Sequence, residues 1–324
     1  MKSFEYVSPT TVEEVIAQLS PDWGRSEIMA GGTDLVTSLK QGLVEPEKVV
    51  SLRQVEALHG ITVSDESVVI GAATTLKEVA AHADVAEYFP AIVESIDSIG
   101  GPQIVNVGTL GGDLCQRPRC WFFRNGYGLL AQKNGDSLVT KGDNRYHAIF
   151  HDGGPAYFVN PSSLAPSLIA LRAIVHTASM DGKREVLAKD FFKAPKDEND
   201  RETQLQANEL VTAIEIPRLG LRNASYEVRH RSGLDWPYVA AAVAFKLTGG
   251  VASGANVVLG HVAPKPHLAL SAAATLNQSL VSETAARQTG LAATEGARPL
   301  SRNGYKVHLV KTAVKRAVMS AAGL

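Results

Sequence analysis

Hydrophobic positions change period several times along the chain, and each change marks an element. Residues 4–7 alternate as a short strand, and Ser8-Pro9-Thr10-Thr11 turns the chain. Val12, Val15, Ile16 and Leu19 then recur at helical spacing behind Thr11, with Glu13 and Glu14 in the first turn. Glu27-Ile28-Met29-Ala30 predicts a strand running into Gly31-Gly32. Thr33 or Asp34 stands where a helix over 35–41 needs its cap, and Gly42 where it needs its end. Residues 49–52 read as another strand. This first α/β unit spans residues 1–55.

A second unit, residues 56–217, opens with strands at 61–63 and 68–71. Thr74 or Thr75 caps a helix running to Ala81, and Ile92, Ile96 and Ile99 share a helix face that Gly100-Gly101-Pro102 ends. Residues 115–155 break the rhythm: arginines and aromatics first, then a polar, glycine-containing stretch with no sustained period. A long aperiodic segment of this kind is either an insertion or functional. The α/β pattern is expected to resume at 156–159. Asn160-Pro161-Ser162-Ser163 caps a helix to Leu171, residues 174–176 start a strand, the charged residues 193–206 form a surface excursion, and 209–217 form a strand ended by Pro217.

The last third, residues 218–324, differs. Residues 226–229, 239–247 and 255–260 read as strands of an antiparallel sheet, although Ala240-Ala241-Ala242-Val243-Ala244 suits a helix equally well. From His267 the period is helical. Val307, Val310, Val314 and Val318 face inward from a helix over 306–319, with Lys311, Lys315 and Arg316 outward. The expected fold class is α+β: a two-part α/β domain, then a small domain of antiparallel sheet plus helices.

With 324 residues, 45% of them hydrophobic, the chain holds ample core for two or three domains. A net charge of −1 provides no field for nucleic acid or anionic membrane. The first six residues lack an apolar signal core, and no apolar run reaches membrane-spanning length, so a soluble cytoplasmic protein is expected. The two cysteines, Cys115 and Cys120, are too few for a disulfide scaffold, and a bridge between them would close a small, strained loop.

Two stretches carry candidate chemistry. Met29-Ala30-Gly31-Gly32-Thr33-Asp34-Leu35 and Val107-Gly108-Thr109-Leu110-Gly111-Gly112-Asp113-Leu114 share an apolar entry, a Gly-Gly pair and a polar hydrogen-bonding residue. Consecutive N–H groups in such turns form anion-binding nests, and the start of a helix adds unpaired donors. Two of them suggest a diphosphate held from two sides. Neither has the dinucleotide fingerprint or P-loop spacing, and an ordinary tight turn is the alternative for either alone.

The ordered set of motifs resembles the FAD-binding medium subunit of molybdenum hydroxylases, a family that includes xanthine dehydrogenases, carbon monoxide dehydrogenase, aldehyde oxidoreductases and 4-hydroxybenzoyl-CoA reductase. The resemblance rests on Ala30-Gly31-Gly32-Thr33-Asp34-Leu35 and Asn106-Val107-Gly108-Thr109-Leu110-Gly111-Gly112-Asp113-Leu114, supported by the strand 209–217 and by Gly260-His261-Val262-Ala263-Pro264-Lys265-Pro266. It implies a PCMH-type FAD domain in which both loops hold the pyrophosphate and ribityl chain through backbone N–H groups. Thr33, Asp34, Thr109 and Asp113 would add side-chain hydrogen bonds. Ile99 aligns with a position that packs against the cofactor, and Val211 with one near the isoalloxazine; plain core packing is the alternative for both. The implied partners are a molybdopterin-binding large subunit, a [2Fe–2S] small subunit and an external acceptor: NAD⁺, a quinone, a ferredoxin or oxygen. No acid–base catalyst is expected on this chain.

Three departures stand out. Ser163 occupies the place of an aspartate that contacts the flavin. Glu227 stands where a lysine is common, and an acidic group there would oppose the negative charge of the reduced flavin unless Arg229 or Arg231 substitutes. Some relatives hold a [4Fe–4S] cluster in the segment after the second glycine loop. With only Cys115 and Cys120 present, and His147 and His151 downstream, no cluster is expected, because a cubane takes about four thiolates. The rival functions are a stand-alone flavin oxidase of the vanillyl-alcohol oxidase type and a subunit that has lost its flavin.

Overall fold

Three larger sheets, one parallel and two antiparallel, and one two-stranded hairpin carry the chain in the computed structural model, which describes residues 1–151, 154–231 and 235–324. The first pairs Glu5–Val7, Lys48–Ser51 and Ser26–Met29, in that spatial order, all parallel. Parallel neighbours need crossovers, which the helices Val12–Gln18 and Leu35–Gln41 supply. Thr11 closes a capping box on the first: its hydroxyl accepts from the Glu14 N–H, and the Glu14 carboxylate accepts from the Thr11 N–H, both at 3.2 Å. Asp34 sits at the cap position of the second helix but bonds none of its N–H groups. Its carboxylate is drawn elsewhere, as described below. Gly42 ends that helix at φ 68°, a left-handed value that suits glycine.

The second sheet runs Ile61–Val63, Ser67–Gly71, Leu210–Pro217, Ile174–Ser179, Gly182–Leu187, with every pair antiparallel. Its central strand bulges between Val211 and Ala213. The helices Leu76–Ala81, Pro90–Ser98 and Ala165–Ala170 share its core around Ile70, Ile92, Ile96, Leu168 and Ile214. Thr75, not Thr74, caps the first of these helices; the Thr74 hydroxyl donates to the Gly60 carbonyl instead.

The third sheet joins Arg222–Val228, Val239–Thr248, Val251–Gly260 and His267–Leu268, all antiparallel. The alanine run is strand because it is buried on both faces. Ala242 and Ala244 belong to the core around Leu168. Ala241, Val243 and Phe245 belong to the core closed by the helices Leu270–Leu276, Glu283–Ala292 and Tyr305–Ala322. Helix propensity yields to this packing. The contact is close: a Cβ on Gly260 would lie 2.8 Å from Pro166. On the last helix Val310, Val314 and Val318 are buried and Val307 is half-buried. Lys306 is also buried, and its ammonium donates to the carbonyls of Tyr146 and His261, both at 2.8 Å.

The long segment after the second glycine stretch is folded rather than aperiodic. It carries one-turn helices Trp121–Arg124 and Leu138–Lys141, a hairpin of Gln132–Lys133 with Asp136–Ser137, and a small core of Leu129, Leu130, Ala156 and Phe158. Its residues 152 and 153 lie outside the described residues. Residues 156–159 form no strand; Phe158 fills the small core, and the Tyr157 carbonyl accepts from Ala148. These elements are too short to leave a periodic signature in the sequence.

Candidate cofactor site

The two glycine stretches meet face to face. A Cβ added to Gly31 would lie 1.8 Å from the Val107 carbonyl oxygen, so only glycine permits the approach. They differ in the donors they present. Among the described residues, the N–H groups of Gly31, Gly32, Thr33 and Leu35 meet no acceptor, and Gly32 takes φ 71° to aim them. The second stretch is itself a helix, Leu110–Leu114, capped by Thr109, whose hydroxyl accepts from Gly112 at 3.1 Å. Leu110 donates to Thr74 at 3.1 Å, Gly111 to Ala72 at 2.9 Å and Asp113 to Thr109 at 2.9 Å. The Thr109 N–H meets no acceptor among the described residues, so both stretches present open donors, more of them on the first.

Two clefts lie on either side of this contact, of about 1350 Å³ and 920 Å³, and both are walled by Thr33, Thr109, Gly112 and Gln116. Ala30, Gly31, Gly32, Asp34, Leu35, Gly111 and Val211 line the first; Ile99, Asp113 and Ser163 line the second. Met29, Asn106 and Leu110 line neither; Leu110 is fully buried and Asn106 exposed. Val211 and Ser163, both expected near the isoalloxazine, fall in different clefts.

Several lining residues gave no sequence signal. In the first cleft the Arg201 guanidinium stacks 4.3 Å from the Trp23 ring, and Arg117 pairs with Glu202 at 3.0 Å. Burial pushes the nearby Glu27 carboxyl above the usual range. Residues 201–203 and 205 thus form a wall of the cleft rather than a surface excursion. In the second cleft the Arg119 guanidinium stacks 4.7 Å from the Trp236 ring. Each of these pairs joins residues at least 85 positions apart, so no local pattern marks them.

The two aspartates of the motifs act as braces. Asp34 accepts from the Arg117 N–H at 2.8 Å and from the side chains of Arg119 and Arg124, each at 3.0 Å. It ties the long segment to the first glycine stretch. Asp113 accepts from the Ser162 hydroxyl, the Leu164 N–H at 3.0 Å, the Ser163 N–H at 3.4 Å and Gln116 at 2.9 Å. Burial pushes its carboxyl upward while these donors oppose the shift. Ser162 in turn caps the helix Ala165–Ala170 by accepting from Ala165 at 2.9 Å.

Cys115 and Cys120 are free thiols. The Cys120 sulfur lies 3.1 Å from His147 Nε2, and burial holds that imidazole down at about 4, so it is neutral near pH 7. His151 meets the Arg298 carbonyl. No group of three or more metal-ligating side chains occurs among the described residues.

A dinucleotide fits these features: open N–H donors for its diphosphate at the waist, and a cleft with an aromatic wall for a ring system at each end. Comparison with known proteins agrees. Residues 2–219 match the FAD binding domain in molybdopterin dehydrogenase. The chain belongs to this family. Residues 224–321 match the CO dehydrogenase flavoprotein C-terminal domain. The aldehyde oxidoreductase FAD-binding subunit PaoB of Escherichia coli K12 is 29% identical over 318 residues, 96% of each chain. The carbon monoxide dehydrogenase medium chain of Hydrogenophaga pseudoflava is 26% identical over 263 residues, 81% of this chain and 75% of that one. The structure of quinoline 2-oxidoreductase from Pseudomonas putida 86 matches with a TM-score of 0.78 at 26% identity, covering 99% of this chain and 98% of that chain. FAD is the cofactor, and the chain is an FAD-dependent oxidoreductase subunit of the molybdenum hydroxylase class. No helix among the described residues is long and apolar enough to cross a membrane.

Proposed function

We propose that this subunit relays electrons within a molybdenum hydroxylase, holding FAD across the contact of its two glycine stretches. A [2Fe–2S] small subunit feeds the flavin, a molybdopterin-binding large subunit oxidises the substrate, and an external acceptor removes the electrons. The face-to-face approach of Gly31 and Val107, with open donors on the first stretch and the open Thr109 N–H on the second, carries this reading.

When bound, FAD supplies the two-electron chemistry; the chain supplies placement and electrostatics. Gly31, Gly32, Thr33 and Leu35 present N–H groups to the diphosphate, and the first turn of the helix Leu35–Gln41 adds its positive end. Thr33 and Thr109 stand at the waist and line both clefts. The Thr109 oxygen accepts from Gly112, which leaves its own hydrogen to donate. We assign the isoalloxazine half to the second cleft. There Ile99, Leu76 and Trp236 offer flat apolar contact and Ser163 a polar edge. The adenosine half takes the first cleft, against Trp23 and Val211.

Purified chain, stripped of cofactor and titrated with FAD, tests the reading. Stoichiometric uptake with flavin absorption supports it; a colourless chain that binds no FAD refutes it. Electron relay is tested separately, by whether a reduced iron–sulfur partner bleaches the bound flavin.

A further inference from the structure

Within the second cleft, Glu227 is an acid that placement of the cofactor alone does not explain. It lies on the strand Arg222–Val228, and its side chain is only 3% exposed. Oε2 is 3.5 Å from Arg229 Nε, a loose ion pair. Oε1 is buried and has no hydrogen-bond partner among the described residues, although the side chain lines the cleft with Ser98, Ile99, Ser163 and Trp236. A buried polar atom left unpaired is costly. Such an atom on the wall of a cofactor cleft is satisfied when the bound group provides its partner.

The charges around Glu227 come from several elements. Asp113, on the helix Leu110–Leu114, repels its anion, and Arg229, on its own strand, attracts it. Arg119 from the long segment and Asp235 from the segment after the strand line the same cleft. Arg119 is already paired with Asp34. The helix Pro90–Ser98 contributes the neutral hydroxyl of Ser98, and Ser163 contributes another. Burial outweighs the Ser98 hydroxyl and the Arg229 attraction, which both oppose it, and pushes the Glu227 carboxyl up to about 7.

We propose that Glu227 is the proton-holding partner of the isoalloxazine: its free oxygen, buried and unpartnered on the cleft wall, holds the carboxyl proton and donates it in a hydrogen bond to the polar edge of the ring. The proposal rests on the assignment of that ring to the second cleft. It has a consequence for reduction. The reducing partner gives the flavin two electrons, and the ring takes one proton from solvent, which leaves it negative. Above neutrality Glu227 has lost its proton when the flavin is oxidised. The new negative charge then draws a second solvent proton onto its carboxylate. Reduction takes up two protons per two electrons instead of one.

A dye-coupled redox titration of the FAD-loaded chain between about pH 7 and pH 9 tests this. The reduction equilibrium of the native chain should fall tenfold per pH unit beyond that of Glu227→Gln, about 30 mV per unit for a two-electron couple. Glutamine keeps the shape and a donor but does not titrate. Equal slopes in both proteins overturn the proposal. A second measurement needs no variant. Reduced-minus-oxidised infrared difference spectra at about pH 8 should show a protonated carboxyl carbonyl gained on reduction; a spectrum without it also overturns the proposal. A chain that takes up no FAD shows it in its absorption spectrum first, and overturns the flavin reading itself.

Discussion

Gly31→Ala is the sharpest test of how the two glycine stretches form the site. The added Cβ would lie 1.8 Å from the Val107 oxygen and 2.6 Å from its carbonyl carbon, and both are backbone atoms that no rotamer change can move. To restore ordinary contact the stretches must part by about 1.5 Å. Overpacking of this kind costs about 1–3 kcal/mol, against the 5–15 kcal/mol that typically holds a domain, so the chain still folds. The cofactor is affected more than the fold. The two stretches must close on the same diphosphate, and a displacement of about 1 Å in such a constellation costs on the order of a hundredfold. FAD fluorescence quenching should therefore show a Kd raised about a hundredfold, near 2.8 kcal/mol, with the far-UV circular dichroism of the native chain. Gly304→Ala is the control, because a Cβ there meets nothing within 4 Å. A folded Gly31→Ala chain that binds FAD within about threefold of the native affinity, under 1 kcal/mol, refutes the reasoning.

Asp34→Asn removes the charge that pairs with Arg119 and Arg124, so hydrogen exchange over residues 116–126 should accelerate and stability should fall by about 2 kcal/mol, less than for a fully buried pair because these side chains are partly exposed. Unchanged protection there would show that the long segment is held by its own small core. Lys306→Met leaves the carbonyls of Tyr146 and His261 without their donor and should lower stability by about 2 kcal/mol or more in chemical denaturation; an equal or higher midpoint would mean that the ammonium's burial cost exceeds the value of its two bonds. In the FAD-free chain, Glu227 binds its proton more tightly when folded, at about 7 against 4.5 for the free side chain. Its favourable contribution is thus complete below about pH 4.5 and is lost as the pH rises through 7. Relative to Glu227→Gln, the native chain should lose up to about 1.4 kcal/mol per pH unit across that window, and parallel stability curves would contradict it.

Much of the fold was legible because its signals are local. Thr11 with Glu14, and Gly42 after Gln41, mark helix ends by chemistry that acts within one turn. The alanine run 240–244 was ambiguous, since only burial on two faces by distant helices decides it for strand. The site was legible as motifs but not as contacts. Gly31, Gly32, Thr33, Thr109 and Gly112 come together as the pattern implies. Asp34 and Asp113 have the residue type of a ligand, yet their lone pairs go to Arg117, Arg119 and Arg124, and to Ser162, Leu164 and Gln116. Trp23, Arg201 and Trp236 reach the clefts through long-range packing and left no trace in spacing.

The two acids of the second cleft show why residue type alone misjudges charge. Read from the sequence, a glutamate at position 227 puts a negative charge where the reduced flavin also becomes negative, and so disfavours reduction. The structure gives Asp113 and Glu227 opposite surroundings. Asp113 is met by four donors, two of them backbone N–H groups at the start of a helix, which support an anion despite burial. Glu227 has the Ser98 hydroxyl, one loose arginine contact and an oxygen with no donor, and Asp113 nearby adds repulsion. Environments that differ this way separate the protonation states of neighbouring acids. One carboxyl braces the fold through its donors, and the other is left at the cleft wall with its affinity for a proton raised. The substitution that looked like an obstacle to reduction becomes a donor to the ring, and its cost returns only as the pH rises above neutrality.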